Sequence, residues 1–408
     1  MMRTPALSSV SASCAFASTC DLASRPRDVA FDYLKATVIL LVVAHHSCLA
    51  YTTFAHFDPA HYLTGSTAPV VDTSRWGFFD YAENFNDVFF MSLMFFLSGL
   101  FVCPSLRRST ALVFLRGRLI RLGLPFLVGV PLLMPLGYYA SWQLTGHDQG
   151  YLAYWRHGFT HAWPPGPLWF NWFLLSCDIL AAGFLAVWPG RVRALPLTWT
   201  KAKPLSAAVA MFGLCAVVYL PALKAFGWAW GAFFTPPFYF QLSRFGLYVA
   251  WFVAGAWIGS DDLERGLLAR DGALARHWPW WLCAGLAAYN LLWLLPARFE
   301  AIGVFTADQR AAIWAILWVV SCVASCLGSL ALFRGAVLKR RGWMDSLSRS
   351  AYVIYIVHYV YVLWLQRAVM GCGIHASLKF LIVFTGATWL SWFTAQCLLR
   401  FPWLRRVV

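Results

Sequence analysis

Charge is what this chain has least of. Asp, Glu, Lys and Arg make up 12% of its 408 residues, while 60% are hydrophobic. Soluble globular domains carry about 25% charged residues, so that class is excluded. Acid is scarcer than base, with 17 Asp and Glu against 32 Lys and Arg. Cysteine in zinc-type spacing is missing too. Eleven cysteines are scattered, many of them inside apolar runs (Cys48, Cys103, Cys177, Cys215, Cys283). Cys322 and Cys326 stand four apart with no companion ligand. No metal site and no disulfide framework is expected, and the cysteines read as small apolar packing residues. There is no obvious internal repeat and no appended soluble domain. The Ser/Ala-rich start lacks the apolar core of a cleavable signal. Residues 1–26 read as a disordered tail and 27–408 as one membrane domain.

What is present is apolar length. The mean hydropathy is +0.62, and 23 Trp and 33 Phe supply interface anchors and packing bulk. Ten segments are long enough to span a bilayer: 31–53, 86–106, 122–142, 168–188, 205–224, 241–259, 277–296, 308–333, 347–368 and 377–399. The expected fold is an all-α polytopic bundle of about ten transmembrane helices. Pro125, Pro131 and Pro135 predict a kink or break in the third. Counted over alternate connections, 22 Lys and Arg fall on one side, and only Arg75, Arg156 and Arg298 on the other. That asymmetry puts both termini in the cytoplasm. It also assigns the net charge of +15 to topology and anionic lipid rather than nucleic acid. A bacterial inner membrane suits the pattern. Two long outer loops, about 54–85 and 143–167, are where an outer substrate is gripped on this reading. In and beside them stand Asp58, Asp72, Asp80, Glu83, Asp87, His147, His157, His161 and many aromatics, with Trp76, Trp155 and Trp163 able to stack on sugars or to anchor the interface.

Ionisable side chains are costly inside a bilayer, so each is a functional candidate. The first segment holds Lys35 and His46, eleven residues apart. Eleven residues make about three turns, so the two share a helix face roughly 16 Å apart along the axis. His45 lies about 80° off that face. A neutral imidazole can take a proton from a hydroxyl attacking an acyl carbon, or accept the acyl group itself. The plainer readings are a histidine hydrogen-bonded across helices and a lysine snorkelling to the inner surface.

Asp32-x-Leu-Lys35-x10-His46-Ser47 resembles the opening signature of the acyltransferase-3 family of integral membrane proteins. Further likeness lies in Phe95-Phe96-Leu97-Ser98-Gly99 and in the Arg116-x-Arg118-x-x-Arg121 run before Pro125. It continues with Pro167-Leu168-Trp169-Phe170 and with Tyr352-x-x-Tyr355-x-x-His358. The family usually has Arg at the Lys35 position and His at the Pro167 position. Lysine keeps the charge without the two-pronged fork.

The resemblance spans about residues 27 to 400 and implies an O-acyltransferase. Such a protein moves an acyl group, acetyl or succinyl, from cytoplasmic acyl-CoA to an extracytoplasmic hydroxyl, here a saccharide. Acyl-CoA is then a donor substrate, and no tightly bound cofactor is implied. His46 and Lys35 become the catalytic candidates. Arg118 and Arg121, three apart and facing one way if helical, become the phosphate-binding pair. Asp32, Ser98, Tyr355 and His358 become candidate pocket-lining residues, with Ser98 considered as an oxyanion stabiliser. Gly99 would let two helices approach closely. Without a fused hydrolase-like domain, the chain looks like the compact, glucan-modifying branch. The rival class is a secondary transporter of a sugar or acidic metabolite, with His46 and Lys35 as proton or substrate sites. It lacks a visible repeat.

Overall fold

A computed structural model describes residues 28–147, 149–161, 165–187, 198–228, 230–232, 238–402 and 404–407. The expected tail 1–26, Trp163, and the basic residues Arg191 and Arg193 lie outside them. The chain is 77% helical. In chain order the helices are α1 (Val29–Tyr51), α2 (Gly77–Arg108), α3 (Ala111–Trp142), α4 (Tyr151–His161), α5 (Gly166–Val187) and α6 (Pro204–Phe226). They continue with α7 (Leu242–Ile258), α8 (Trp278–Ile302), α9 (Ala307–Ala336), α10 (Gly342–Val369) and α11 (Ala376–Leu398). A two-stranded antiparallel pair, β1 (Trp230–Ala232) and β2 (Tyr239–Gln241), stands before α7, with Gly231 opposite Phe240.

Nine of these helices are long and apolar enough to cross a membrane. The exception among the ten expected spans is α7. Its 17 residues reach only about 25 Å, less than a hydrocarbon core of about 30 Å. The chain is therefore a multi-pass α-helical membrane protein.

Two boundaries differ from expectation for one physical reason. α2 starts at Gly77, not 86, and carries Asp80, Glu83, Asn84, Asn86 and Asp87 inside the helix. Hydropathy assigns such residues to a loop, yet three of the acids have partners on other segments. Thr53 N donates to Asp80 Oδ1 at 2.7 Å, His45 Nε2 lies 3.7 Å from Glu83 Oε1, and Arg244 Nη1 donates to Asp87 Oδ1 at 2.7 Å. α3 likewise starts at Ala111 rather than 122 and takes in Arg116 and Arg118. The prolines do not break it. Two π-helical turns, Leu119–Gly123 and Gly129–Leu133, precede or contain Pro125, Pro131 and Pro135. A widened turn accommodates a ring that lacks an N–H and crowds the preceding carbonyl.

α1 sits at the centre, packed against α2, α9, α10 and α11. α6 is the least enclosed span and turns Leu205, Val209 and Val217 outward. α8 does the same with Trp280 and Leu294. In a bilayer such surfaces meet lipid.

α2 and α7 approach backbone to backbone. A Cβ on Gly255 would fall 2.1 Å from Phe96 O, and one on Gly99 would fall 2.2 Å from Phe252 O. The close approach expected at Gly99 is thus present, with α7 as its partner.

Ion pairs, each with at least one buried partner, tie the ends. At the end of the bundle near the loop after α1, Lys379 Nζ of α11 donates to both Asp72 oxygens at 2.8 and 2.7 Å, with both side chains almost fully enclosed. This pins the loop after α1, which Asp72 N also fixes through Ala50 O at 3.0 Å. At the other end Arg334 of α9 bridges Asp28, the N-cap of α1, and Glu264. Arg334 Nε adds a bond to Leu268 O at 2.6 Å.

Gly255→Leu is expected to lower the thermal unfolding temperature in detergent sharply, because backbone faces the new side chain. Gly150→Leu, with open space around it, should leave the temperature unchanged. Equal shifts in the two would refute the close-packing account of α2 and α7.

Candidate functional site

The C-terminal end of α1 presents two adjacent histidines to different neighbours. Their rings stand 5.1 Å apart and nearly perpendicular. His46 turns toward α10. Its ring stacks on His358 at 5.4 Å between centroids and meets the edge of Tyr359 at 4.9 Å. Gln366, two turns further along α10, donates its side-chain amide to His46 O at 2.9 Å and to Ser47 O at 3.3 Å. These bonds hold the end of α1 against α10 where the imidazoles meet.

The His358 tautomer follows from its partner. Nδ1 lies 2.7 Å from Tyr355 O. A carbonyl only accepts, so Nδ1 carries the hydrogen and Nε2 the lone pair. That Nε2 is shielded from solvent and accepts no hydrogen bond, and His46 Nδ1 is shielded and unbonded as well. Each of the two stacked imidazoles therefore has one shielded nitrogen without a partner. Tyr355 points elsewhere, its hydroxyl donating to Pro167 O at the start of α5. Tyr355 and His358 are thus joined by a bond from the imidazole to the tyrosine carbonyl, with their rings 6.3 Å apart between centroids.

His45 is not a bystander. Its Nε2 lies 3.7 Å from Glu83 Oε1, and its ring lies 5.1 Å from Phe90. One turn along α2, Asp87 receives both arms of Arg244, which is 3% exposed. The Arg244 guanidinium also lies 5.2 Å from the Trp318 ring centroid. Asp80, Glu83 and Asp87 follow helical spacing, which is the sequence signal that identifies them as one face rather than loop.

Lys35 is on the same helix as His46 but serves another level. Its Nζ lies 4.1 Å above the Phe101 ring at the opposite end of α2. Eleven residues, about 16 Å of helix, separate it from His46, so the two do not touch. Ser98 belongs to the Lys35 level as well. Its hydroxyl donates to Met94 O of its own helix at 2.8 Å, three residues before Phe101. Ser98 therefore does not join the imidazoles and is not placed to stabilise charge beside them. Asp32 is half-buried, and its carbonyl accepts Ser348 Oγ at 3.3 Å.

Arg118 and Arg121 diverge. Arg118 Nε turns inward to within 3.3 Å of Asp178 Oδ2 on α5, while Arg121 is exposed. The π-helical turn that begins at Leu119 separates their directions. Asp178 is fully buried, and neither of its oxygens accepts a hydrogen bond, so the contact with Arg118 is ionic. Its sequence signal is a lone acid in an apolar run. Tyr352 anchors the same region by donating to Arg121 O. Among the described residues, no group of three His, Cys, Asp or Glu could hold a metal ion.

Histidines gathered inside a multi-pass bundle suit acid–base or group-transfer chemistry. A family model described as an acyltransferase domain matches residues 28–396, and the chain belongs to this acyltransferase-3 family. It is a membrane acyltransferase. No curated protein and no solved structure matches it.

Asp87→Ala strands the Arg244 charge among apolar and aromatic groups. Removing one member of a buried pair costs about 3–5 kcal/mol. The expected result is loss of folded protein in a thermal or denaturant titration. Arg244→Met combined with Asp87→Leu should recover much of that loss, and failure of the double variant to do better than Asp87→Ala would reject the pairing account.

Proposed function

We propose that this acyltransferase moves an acetyl or succinyl group from cytoplasmic acyl-CoA to a saccharide hydroxyl on the outer side of a bacterial inner membrane. The observation that carries the reading is the meeting of half-buried His46 and buried His358, each with a shielded, unbonded nitrogen. An imidazole nitrogen with no hydrogen-bond partner has a lone pair with which to take a proton from a hydroxyl.

The step is a proton and acyl exchange. The acceptor oxygen attacks the thioester carbonyl while His46 takes the hydroxyl proton. The new C–O bond forms, the C–S bond breaks, and the proton passes to the departing thiolate. In the relay form a His46 nitrogen attacks the thioester carbonyl, the C–N bond forms as the C–S bond breaks, and the hydrogen on the other ring nitrogen passes to the departing thiolate. His358 Nε2, with its lone pair fixed by the Tyr355 carbonyl, then removes the acceptor proton and returns it to the imidazole as the acyl group leaves. Both forms suit general-base and nucleophilic chemistry by histidine.

The donor side is read from the basic residues at the inner end of α3. Arg121 is free to meet solvent and suits a phosphate. Arg118, oriented by Asp178, supplies a second guanidinium. Lys35, over Phe101, lies on the same helix as His46, at the inner level. It can hold the pantetheine arm or bias the field along α1.

Two measurements test these roles. His46→Ala should abolish acyl transfer from radiolabelled acetyl-CoA while leaving folding and coenzyme A binding intact. Arg118→Ala/Arg121→Ala should weaken coenzyme A binding by tenfold or more, about the value of one charge-assisted contact. Retained turnover in the histidine variant would sink the assignment of His46. Unchanged binding in the arginine variant would sink the donor site.

A further inference from the structure

The acyl-transfer reading leaves one group of side chains without a task. They stand at the outer end of α3, where Tyr138, Ser141 and Trp142 share a helix face. Tyr62, from the loop after α1, packs against Trp142 at 5.7 Å between ring centroids. Tyr154 of α4 meets the same indole at 5.4 Å, and exposed His147 stacks on it at 4.5 Å.

Three polar atoms here are buried and bonded to nothing: Tyr62 Oη, Ser141 Oγ and Trp142 Nε1. Their residues are 6%, 0% and 3% exposed. Buried donors without partners are rare in folded proteins and call for an explanation. Three of them on adjoining segments point to a ligand that supplies the missing partners. Burial raises the Tyr62 phenol above its ordinary value, so it keeps its proton and can donate.

The group also connects inward. Tyr138 lies one turn below Trp142 on the same face. Its ring is 5.6 Å from Tyr359, whose hydroxyl lies 3.5 Å from that of Tyr138. Tyr359 in turn meets His46 at 4.9 Å. A continuous series of contacting rings and hydroxyls therefore runs from exposed His147 to the candidate base. Among these groups there is no Lys, Arg, Asp or Glu. An ionic ligand would find no counter-charge in the three unbonded atoms. A sugar ring offers what they lack: hydroxyls to pair with neutral donors and a C–H face to lie on an aromatic ring.

We propose that Tyr62, Ser141 and Trp142 form a subsite for a neutral sugar ring, which presents its hydroxyl along Tyr138 and Tyr359 to His46. The proposal rests on the acyl-transfer reading for its purpose, but its binding is separately measurable.

The test uses the full chain in nanodiscs. Ligand-observed NMR follows binding of maltopentaose, laminaripentaose and a galacturonic acid pentasaccharide. Release of coenzyme A from acetyl-CoA and the KM for the oligosaccharide are measured alongside. Tyr62→Phe and Ser141→Ala each remove only an unbonded oxygen. Both are expected to weaken binding of a neutral pentasaccharide and raise its KM about tenfold, the value of one hydrogen bond. Basal coenzyme A release and the unfolding temperature should hold or, for temperature, rise. Unchanged binding in both variants overturns the subsite. So does binding of the acidic pentasaccharide alone, or a fall in unfolding temperature that tracks the loss. Coenzyme A release with no neutral sugar bound by the wild type overturns the subsite and leaves the acyl-transfer reading standing. Sugar binding lost in the variants, with no coenzyme A release by the wild type, supports the subsite and rejects that reading.

Discussion

A charge inside this bundle persists because another segment neutralises it, and the helix arrangement follows from where those pairs form. Asp87 and Arg244 lock α2 to the start of α7 by a two-armed contact. Arg334 gathers Asp28 and Glu264 from two distant segments, and Lys379 does the same for Asp72. Each pair removes ions from water, which repays only when geometry is good and remaining atoms are bonded. Register is what such pairs supply. Sliding α2 by a residue against α7 would separate Asp87 from Arg244 and rotate the Gly255 contact out of place.

The spans themselves were legible because apolar length is the strongest signal a membrane sequence carries. Their edges were not, where polar residues enter a helix. Asp80, Glu83 and Asp87 read as loop because hydropathy counts residues without knowing their partners. Spacing alone hinted at a shared face. The third span shows the reverse effect. Three prolines suggested a kink or break, and the helix meets them with two widened turns and runs on.

The candidate site was partly legible. His46 stood out as an ionisable group within an apolar run, and His358 as a tail histidine at helical spacing from Tyr355. That their rings stack could not be read from either segment, since it depends on how α1 packs on α10. Ser98 was drawn toward His46 by residue chemistry and is separated from it by depth. Arg118 was recognised by its charge, but its buried companion Asp178 passed unnoticed in a run otherwise free of acid.

The glycine contacts have a mechanical side. Gly99, Gly255 and Gly259 set α2 directly on α7 over successive turns, with no side-chain layer between them. The Asp87–Arg244 clasp holds the same two helices nearer the other surface. Fastened at two levels, the pair behaves as one stiff strut along one side of α1.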